Sequence, residues 1–499
     1  MAKTLLMSGF DLRAVDLPDD ARILLPKPPL PAIDDFRAAC LRAMEEPVSG
    51  PPLVELLRPD ARITVVMDDF SLPVPPASND CRREMLEVVL RQLSLSGMRP
   101  QQITVLVANG LSRQWRHAEL VDILGPTATS LQPVLCHDAE ALSRLVRLGE
   151  EPEGPVELNR AVVESDLVIH LNVVTLPIMA GLYGLVSGTA GYRTARFLGS
   201  PQVLAEDDHP LLPGSAYHRL HERVGALLQR HTRVFQLSTV LNNDLWAPAL
   251  ATLLKGTDGG GVARPLQVWN ALPAAVRYRA ARLLRASYRP VIALGGPPDA
   301  VAPKALEAFH GQHETEGGSP SDIVVFGLPD EGPGSVRSGQ NPILTAQLAL
   351  GYVANLYTKK PLLRPGGVLI FANPLHPNFD ERVHGPHQEF YEKVLRLERD
   401  AAAIHERFEP FFAGRPEFVS NYQRRFAFHG THPLYAWYLC APVRRRTGRI
   451  IVAYGDPRAC ARLGFTPAND LDDALAKARE FLGLDRPSIA VNELPPPFW

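Results

Sequence analysis

Short apolar runs alternate with segments of helical spacing through most of the chain. Runs rich in β-branched residues cover 62–67 and 102–108, and the segment between them, 82–96, carries apolar residues at helical spacing. A strand–helix–strand order requires a crossover connection, so it predicts a parallel sheet. The alternation continues to another apolar run at 167–172.

A second series of apolar runs follows a basic, helical segment near residue 280. Its members are 289–294, 322–326, 367–371 and 449–453. We therefore expect an α/β fold of two doubly wound parallel-sheet domains that face a central cleft. The expected units are residues 1–265 with a proline-rich N-terminal arm, a linker helix at 266–288, and a second α/β domain at 289–499.

Composition narrows the class of partner. A chain of 499 residues exceeds a single core. The formal charge of -2, from 52 basic and 54 acidic residues, provides no field for nucleic acid or an anionic membrane. No apolar run approaches the roughly 18 residues of a spanning helix. Five cysteines without a CxxC pair fit a reducing cytoplasm. A small-molecule partner is expected, and the oligomeric state stays open.

Acidic and hydroxyl groups follow the first strand of the parallel series. Asp68, Asp69 and Ser71 come directly after it, and ligands of open parallel sheets bind beyond the carboxyl ends of strands. The acids could bind a metal or a hydroxyl-bearing ligand, and Asp69 could act as a general base. The alternative is a turn in which Asp69 or Ser71 caps the backbone.

The next two strand ends carry glycine, arginine and histidine. Gly110 permits a close backbone approach to a ligand, and Arg113 could hold an anionic substrate through its planar fork. His137 follows the third strand as a further candidate catalytic group. The alternatives are a glycine turn with a surface arginine, and a histidine that is hydrogen-bonded within a turn.

A small-residue segment at 177–191 is a candidate phosphate or nucleotide cradle. It contains Gly181, Gly184 and Ser187, but neither the Walker A nor the Rossmann glycine spacing. Tight packing against a neighbouring element is the alternative.

Three HxxH pairs are candidate metal ligands. His218 and His221 would share one helical face. His384 and His387, like His429 and His432, stand among glycine and proline in loops, where the four could together bind a metal. Chance pairing is the alternative in a chain with 15 histidines.

Taken together, the motifs resemble the nickel-pincer-nucleotide lactate racemase family. Residues 68–73 stand where that family has Asp-x-Thr-Arg-Pro, and residues 109–113 stand where it has Gly-x-His-Arg. Residues 322–325 and 365–367 resemble a strand and a glycine turn of its C-terminal domain. The resemblance implies a cleft enzyme in which nickel, held by a tethered pyridinium nucleotide and a histidine, takes a hydride from a 2-hydroxy acid and returns it. Two family histidines would exchange the hydroxyl proton.

Departures from the family fall on its working positions. Leu72 replaces the anion-binding arginine, Ser112 and Pro177 replace the two acid/base histidines, and Ser187 replaces the lysine that tethers the cofactor. No histidine lies near Gly199, where the nickel ligand is expected.

Asn341 begins the best match to a family Asn-x-Tyr-Gln-x-x-Lys run, without its tyrosine, glutamine and lysine. No lysine occurs between Lys27 and Lys255, so no lysine of that region can capture the cofactor. Noncovalent binding to residues such as Ser112, Ser187 and Asn341, or no cofactor at all, remains open.

Three functions follow from these patterns. The first is a divergent isomerase or epimerase of a 2-hydroxy acid or related hydroxy compound. The second is a non-catalytic relative that binds a small anion or partners a true racemase. The third is a metal-dependent hydrolase or lyase built on the HxxH pairs.

Overall fold

Two large, mainly parallel sheets organise the part of the chain that the computed structural model describes, residues 2–245, 268–269, 271–273, 275–277, 279, 285–358 and 360–493. The strands, in chain order, are β1 Ala2–Gly9, β2 Asp11–Leu17, β3 Arg22–Leu24, β4 Ile63–Asp68, β5 Ile103–Ala108, β6 Val134–Cys136, β7 Leu145–Glu151, β8 Gly154–Asn159, β9 Leu167–Val174, β10 Arg233–Leu241, β11 Pro290–Gly296, β12 Ser321–Pro329, β13 Leu363–Ala372, β14 Arg449–Ala453, β15 Thr466–Ala468 and β16 Ile489–Asn492.

Helices connect most of these strands. The α-helices, in chain order, are α1 Phe36–Glu45, α2 Leu53–Leu56, α3 Cys81–Leu95, α4 His117–Leu131, α5 Arg160–Val163, α6 Tyr183–Thr189, α7 Tyr192–Leu198, α8 Pro201–Ala205, α9 Ala216–Gln229, α10 Pro298–His313, α11 Pro342–Ala346, α12 Gly385–Glu389, α13 Ala401–Arg407, α14 Glu409–Ala413, α15 Pro416–Arg425, α16 His432–Tyr438, α17 Ala441–Arg446, α18 Pro457–Leu463 and α19 Leu471–Leu482. None of the helices in the described ranges is both long and apolar enough to cross a bilayer.

The first sheet has six strands in the order β11-β10-β9-β4-β5-β6. Neighbours from β10 to β6 run parallel, whereas β11 pairs antiparallel with β10. Every residue of β4 and β9 is buried, because helices cover both faces of a parallel sheet. The carboxyl ends of β4 and β5 therefore lie side by side, in register from Ile63↔Ile103 to Asp68↔Ala108.

The second sheet has eight strands, with the path β15-β14-β13-β12-β1-β2 and with β16 between β12 and β3. An apolar cluster joins the two halves, since Val174 and Ile178 of the first share it with Val301, Phe371 and Trp437 of the second. The structure confirms the α/β class with two parallel-dominated sheets.

Strand pairing crosses the expected domain boundaries. β1, β2 and β3, expected in the first domain, belong to the second sheet, and β11, expected to begin the second domain, completes the first. An apolar pattern predicts that a segment is a strand but does not say which sheet edge it joins. The expected linker helix at 266–288 falls largely outside the described residues, as does the apolar tail at 495–499.

Candidate active site

A cavity of about 260 Å³ lies at the carboxyl ends of β4 and β5. Its walls come from the loops after these strands, from α6 and α9, and from Tyr352 and Tyr435 of the second half of the chain. Of the expected site residues, those that line it are Asp68, Asp69, Ser71, Gly110, Ser112, Gly184 and Ser187. The cavity thus occupies the position where open parallel sheets bind ligands.

Asp68 serves the fold beneath this cavity. Its carboxylate accepts hydrogen bonds from His170 Nε2 at 2.9 Å, Asn172 Nδ2 at 2.9 Å and Val173 N at 3.0 Å. Asn172 Oδ1 in turn accepts from Ser238 Oγ at 2.6 Å and from Gln236 Nε2 at 3.1 Å. We call these five buried polar side chains, Asp68, His170, Asn172, Gln236 and Ser238, the floor network. The expected cofactor contact of Asp68 is therefore replaced by a bond between β4 and β9.

Asp69, one residue later, belongs to the cavity wall. Its Oδ1 accepts from Trp115 Nε1 at 2.7 Å and from the backbone N of Phe70 at 2.9 Å. Burial raises the pKa of Asp69, while hydrogen bonds from Trp115 and Ser71 act in the opposite direction. A cavity-lining carboxyl with a raised pKa is suited to hold and release a proton.

His221 on α9 also lines the cavity. It does not stand at any of the positions where the family resemblance places a histidine. The Ser215 hydroxyl caps α9 by accepting from His218 N at 3.0 Å, and Leu220, Val224 and Leu228 bury the same face of the helix as His221. His221 Nδ1 lies 2.8 Å from the carbonyl oxygen of Tyr217. Because a carbonyl only accepts, Nδ1 carries the proton and Nε2 carries the lone pair.

The Nε2 atom of His221 is buried and has no hydrogen-bond partner among the described residues. Burial lowers the pKa of His221 to about 4, so the ring is neutral near pH 7. A neutral imidazole whose lone pair has no protein partner can accept a proton from a ligand.

Two tyrosines surround the His221 ring. The ring centroids of Tyr183 and Tyr217 lie 4.7 Å and 4.5 Å from it, and their hydroxyl oxygens are 3.1 Å apart. Burial raises the pKa of Tyr217 to about 12 and that of Tyr183 well above its ordinary value. Since only one hydroxyl proton is used between them, the pair keeps one O–H to donate to a ligand.

Close packing explains the small residues of α6. A Cβ on Gly184 would lie 2.2 Å from Asp68 Oδ1, and one on Gly188 would lie 2.3 Å from the carbonyl oxygen of Ala108. Gly110 has φ +51°, and its Cβ would lie 2.9 Å from the carbonyl oxygen of Ser187. The glycines let α6 approach the ends of β4 and β5, so the expected phosphate cradle is filled by protein. Gly181 is not among the lining residues.

Arg113 and His137 do not line the cavity. The Arg113 guanidinium binds both carboxylate oxygens of Glu119, at 2.9 Å and 2.8 Å. His137 Nε2 donates to the carbonyl oxygen of Ala190 at 2.9 Å, and its Nδ1 accepts from Asn159 Nδ2 at 3.0 Å. Protein partners already use these polar groups, and the expected catalytic roles of both residues stay predictions.

The Asn341 side chain also has protein partners, since its Oδ1 caps α11 by accepting from the backbone N atoms of Ile343 and Leu344. It does not line the cavity.

The four loop histidines do not form the expected metal site. His387 Nε2 lies 3.1 Å from His432 Nδ1, and the rings of His384 and His387 are 5.1 Å apart. Phe428 packs on His384, His387 and His432, while His429 points away to Glu140 at 2.7 Å. No group of three or more His, Cys, Asp or Glu within the described residues could hold a metal ion. The rings bind one another and an aromatic side chain instead.

Comparison with known proteins finds a family match in the first part of the chain. Residues 9–196 match the lactate racemase N-terminal domain model. Through this region the chain is similar to lactate racemases. Lactate racemase of Lactiplantibacillus plantarum is 27% identical over 173 residues, which are 32% of this chain and 39% of that protein. Lactate racemase of Thermoanaerobacterium thermosaccharolyticum is 24% identical over 144 residues, which are 29% of this chain and 32% of that protein. The matched segments span well under half of these curated relatives.

Solved structures resemble the chain over nearly its whole length. The lactate racemase apoprotein from Thermoanaerobacterium thermosaccharolyticum has a TM-score of 0.63 at 17% identity, covering 98% of this chain and 97% of that one. A Thermotoga maritima protein has a TM-score of 0.51 at 14% identity, covering 95% and 98%. At these identities the likeness shows the fold alone.

The residues present do not fit a lysine-tethered nickel nucleotide. Ser187 stands at the tether position, and its hydroxyl donates to the carbonyl oxygen of Tyr183 at 2.8 Å. None of the lining residues in the described part of the chain is lysine or arginine, so no cation faces a nucleotide phosphate. Any reaction in this cavity therefore has to use the side chains that line it.

Tyr183 and Tyr217 are lining residues that the sequence patterns did not indicate, and His221 was expected only as a member of an HxxH pair. The available signal was the i, i+3 spacing of His218 and His221, which predicts a shared helical face but not which face borders a cavity.

Proposed function

We propose that this lactate-racemase-like protein is an isomerase that inverts a hydroxyl-bearing carbon of a small hydroxy compound by proton transfer. The observation that carries the proposal is the unpartnered Nε2 of His221, which borders the same cavity as Asp69. His221 has a free lone pair, and Asp69 has a raised pKa that favours its protonated form. The two come from α9 and from the end of β4, which are separate elements of the cavity wall.

The step uses a carbon that bears both a hydroxyl group and a neighbouring carbonyl. His221 Nε2 takes the C–H proton, and the electron pair moves to the carbonyl oxygen, which accepts the free O–H of the tyrosine pair. Protonated Asp69 then returns a proton to the carbon. The substrate gains and loses one proton, so its formula is unchanged, and exchange with water resets the two groups.

Deuterium exchange tests this proposal. The full-length protein is incubated in D₂O with small hydroxy aldehydes and ketones, and loss of the C–H signal is followed by NMR. We expect exchange in the wild type and a fall of roughly 100-fold or more in His221→Gln, as is usual when a general base is removed. Asp69→Asn should slow inversion in the same range.

The matched control is His218→Gln, which changes a histidine on the same helix that does not line the cavity, and it should exchange at the wild-type rate. Undiminished exchange in His221→Gln would contradict the assignment.

A non-catalytic binding protein is the second candidate. It is favoured by Leu72, Ser112, Pro177 and Ser187, which occupy the positions of the family's working groups. Ligand binding without any exchange in D₂O would support this candidate over the isomerase.

A further inference from the structure

The cavity wall offers no positive charge to an acidic substrate. None of its residues in the described ranges is lysine or arginine. The neighbouring guanidinium of Arg82 donates to the carbonyl oxygens of Asp69 at 2.6 Å and Leu72 at 2.8 Å, and to Asp80 at 2.7 Å. Arg113 is held by Glu119. A carboxylate placed in this cavity would lose its water without gaining an ion pair, which is costly.

Leu72 occupies the lining position where the family resemblance places an anion-binding arginine. It borders the cavity and packs against the apolar cluster shared by the two halves of the chain. The position therefore presents methyl groups where a guanidinium would grip a carboxylate.

The remaining polar groups suit hydroxyl groups. His221 Nε2 can accept, while protonated Asp69, Ser112 and the pair of Tyr183 and Tyr217 can donate. Aromatic rings of Tyr352 and Tyr435 add flat apolar surface to the same wall, on which the C–H face of a hydroxylated chain or ring can pack. Hydrogen-bonding groups of both kinds beside aromatic surface match an uncharged, hydroxyl-rich ligand.

We propose that the substrate is an uncharged, hydroxyl-rich carbonyl compound of the simple-sugar class rather than a hydroxy acid. The inference rests on the proposed function only in treating this cavity as the active site. It replaces the anionic substrate expected from Arg113. It also agrees with the proton-transfer step, because a neutral carbonyl makes a neighbouring C–H more acidic than a carboxylate does.

Direct binding measurements test the proposal without requiring turnover. Calorimetry on the full-length protein compares a set of small aldoses and ketoses with the aldonic acids of the same carbon chains. We expect the neutral member of a pair to bind at least about tenfold more tightly. Leu72→Arg should reverse this preference by admitting the acid. The matched control is Leu131→Arg, which adds the same charge at an exposed leucine outside the cavity lining and should leave the preference unchanged.

Equal or tighter binding of the acids by the wild type overturns the proposal, and so does failure to bind any of the neutral compounds. The two proposals fail separately. Binding of the neutral compound without deuterium exchange defeats the isomerase alone, whereas exchange on an acid defeats the neutral substrate alone.

Discussion

The floor network and the wall of the cavity use similar residue types for different purposes. Asp68 and Asp69 are adjacent in the chain and both line the cavity, yet the Asp68 carboxylate is held by three donors of β9, whereas Asp69 is held by Trp115 and Phe70 in the cavity wall. His170 of the floor also has an unpartnered ring nitrogen, but it does not line the cavity, whereas His221 has such a nitrogen and does. An unpartnered polar atom indicates chemistry only where a ligand can reach it.

Removing the Asp68 carboxylate should produce the largest effect. Asp68→Ala leaves His170 Nε2, Asn172 Nδ2 and Val173 N without their acceptor in a buried site. We expect a loss of about 3–5 kcal/mol in the free energy of unfolding, measured by urea denaturation at pH 7.5. Asp69→Ala is the matched neighbour and should cost roughly 1–2 kcal/mol, mainly through Trp115 Nε1. Equal losses in the two variants would mean that Asp68 contributes no more to stability than Asp69.

Low pH should destabilise the folded protein through His221, a residue of the cavity wall. Its folded pKa of about 4 lies below the ordinary value of 6.5, so the unfolded chain takes up the proton first as pH falls. The stability due to the neutral ring is complete above pH 6.5 and is lost as pH falls toward the folded pKa. When the pH is lowered from 7.5 to 4.5, the free energy of unfolding should fall in both proteins. The fall should be about 2 kcal/mol smaller in His221→Gln than in the wild type. The same pH dependence in both proteins would show that the ring charges freely in the folded state.

Much of the fold follows from local pattern. The runs at 62–67, 102–108 and 449–453 became β4, β5 and β14 within one residue at either end, because buried parallel strands are short, continuous and apolar. The sheet membership of β1 and β11 could not be predicted, since it depends on pairing between segments that are distant in the chain, such as Ser8 with Leu328 and Gln236 with Gly296.

The candidate site was predictable only in part. Asp69 reached the cavity as expected from its place after β4. Arg113 and His137 do not line the cavity, and their contacts with Glu119 and Asn159 form only in the folded chain. The same limit applies to His221, whose proposed role depends on Nε2, the ring nitrogen that the Tyr217 carbonyl does not use, and on the place of this residue in the cavity lining.

Ser187 should give the smallest effect, although the family resemblance places the cofactor tether there. Its hydroxyl bonds the carbonyl oxygen of Tyr183 one turn back in α6, a local bond that adds little to helix stability. Ser187→Ala should change the free energy of unfolding by less than about 0.5 kcal/mol. Because that bond already uses the hydroxyl proton, affinity for a neutral ligand should change less than about twofold, measured by calorimetry beside Ser112→Ala. A tenfold loss of affinity in Ser187→Ala would instead show that the Ser187 hydroxyl binds the ligand directly.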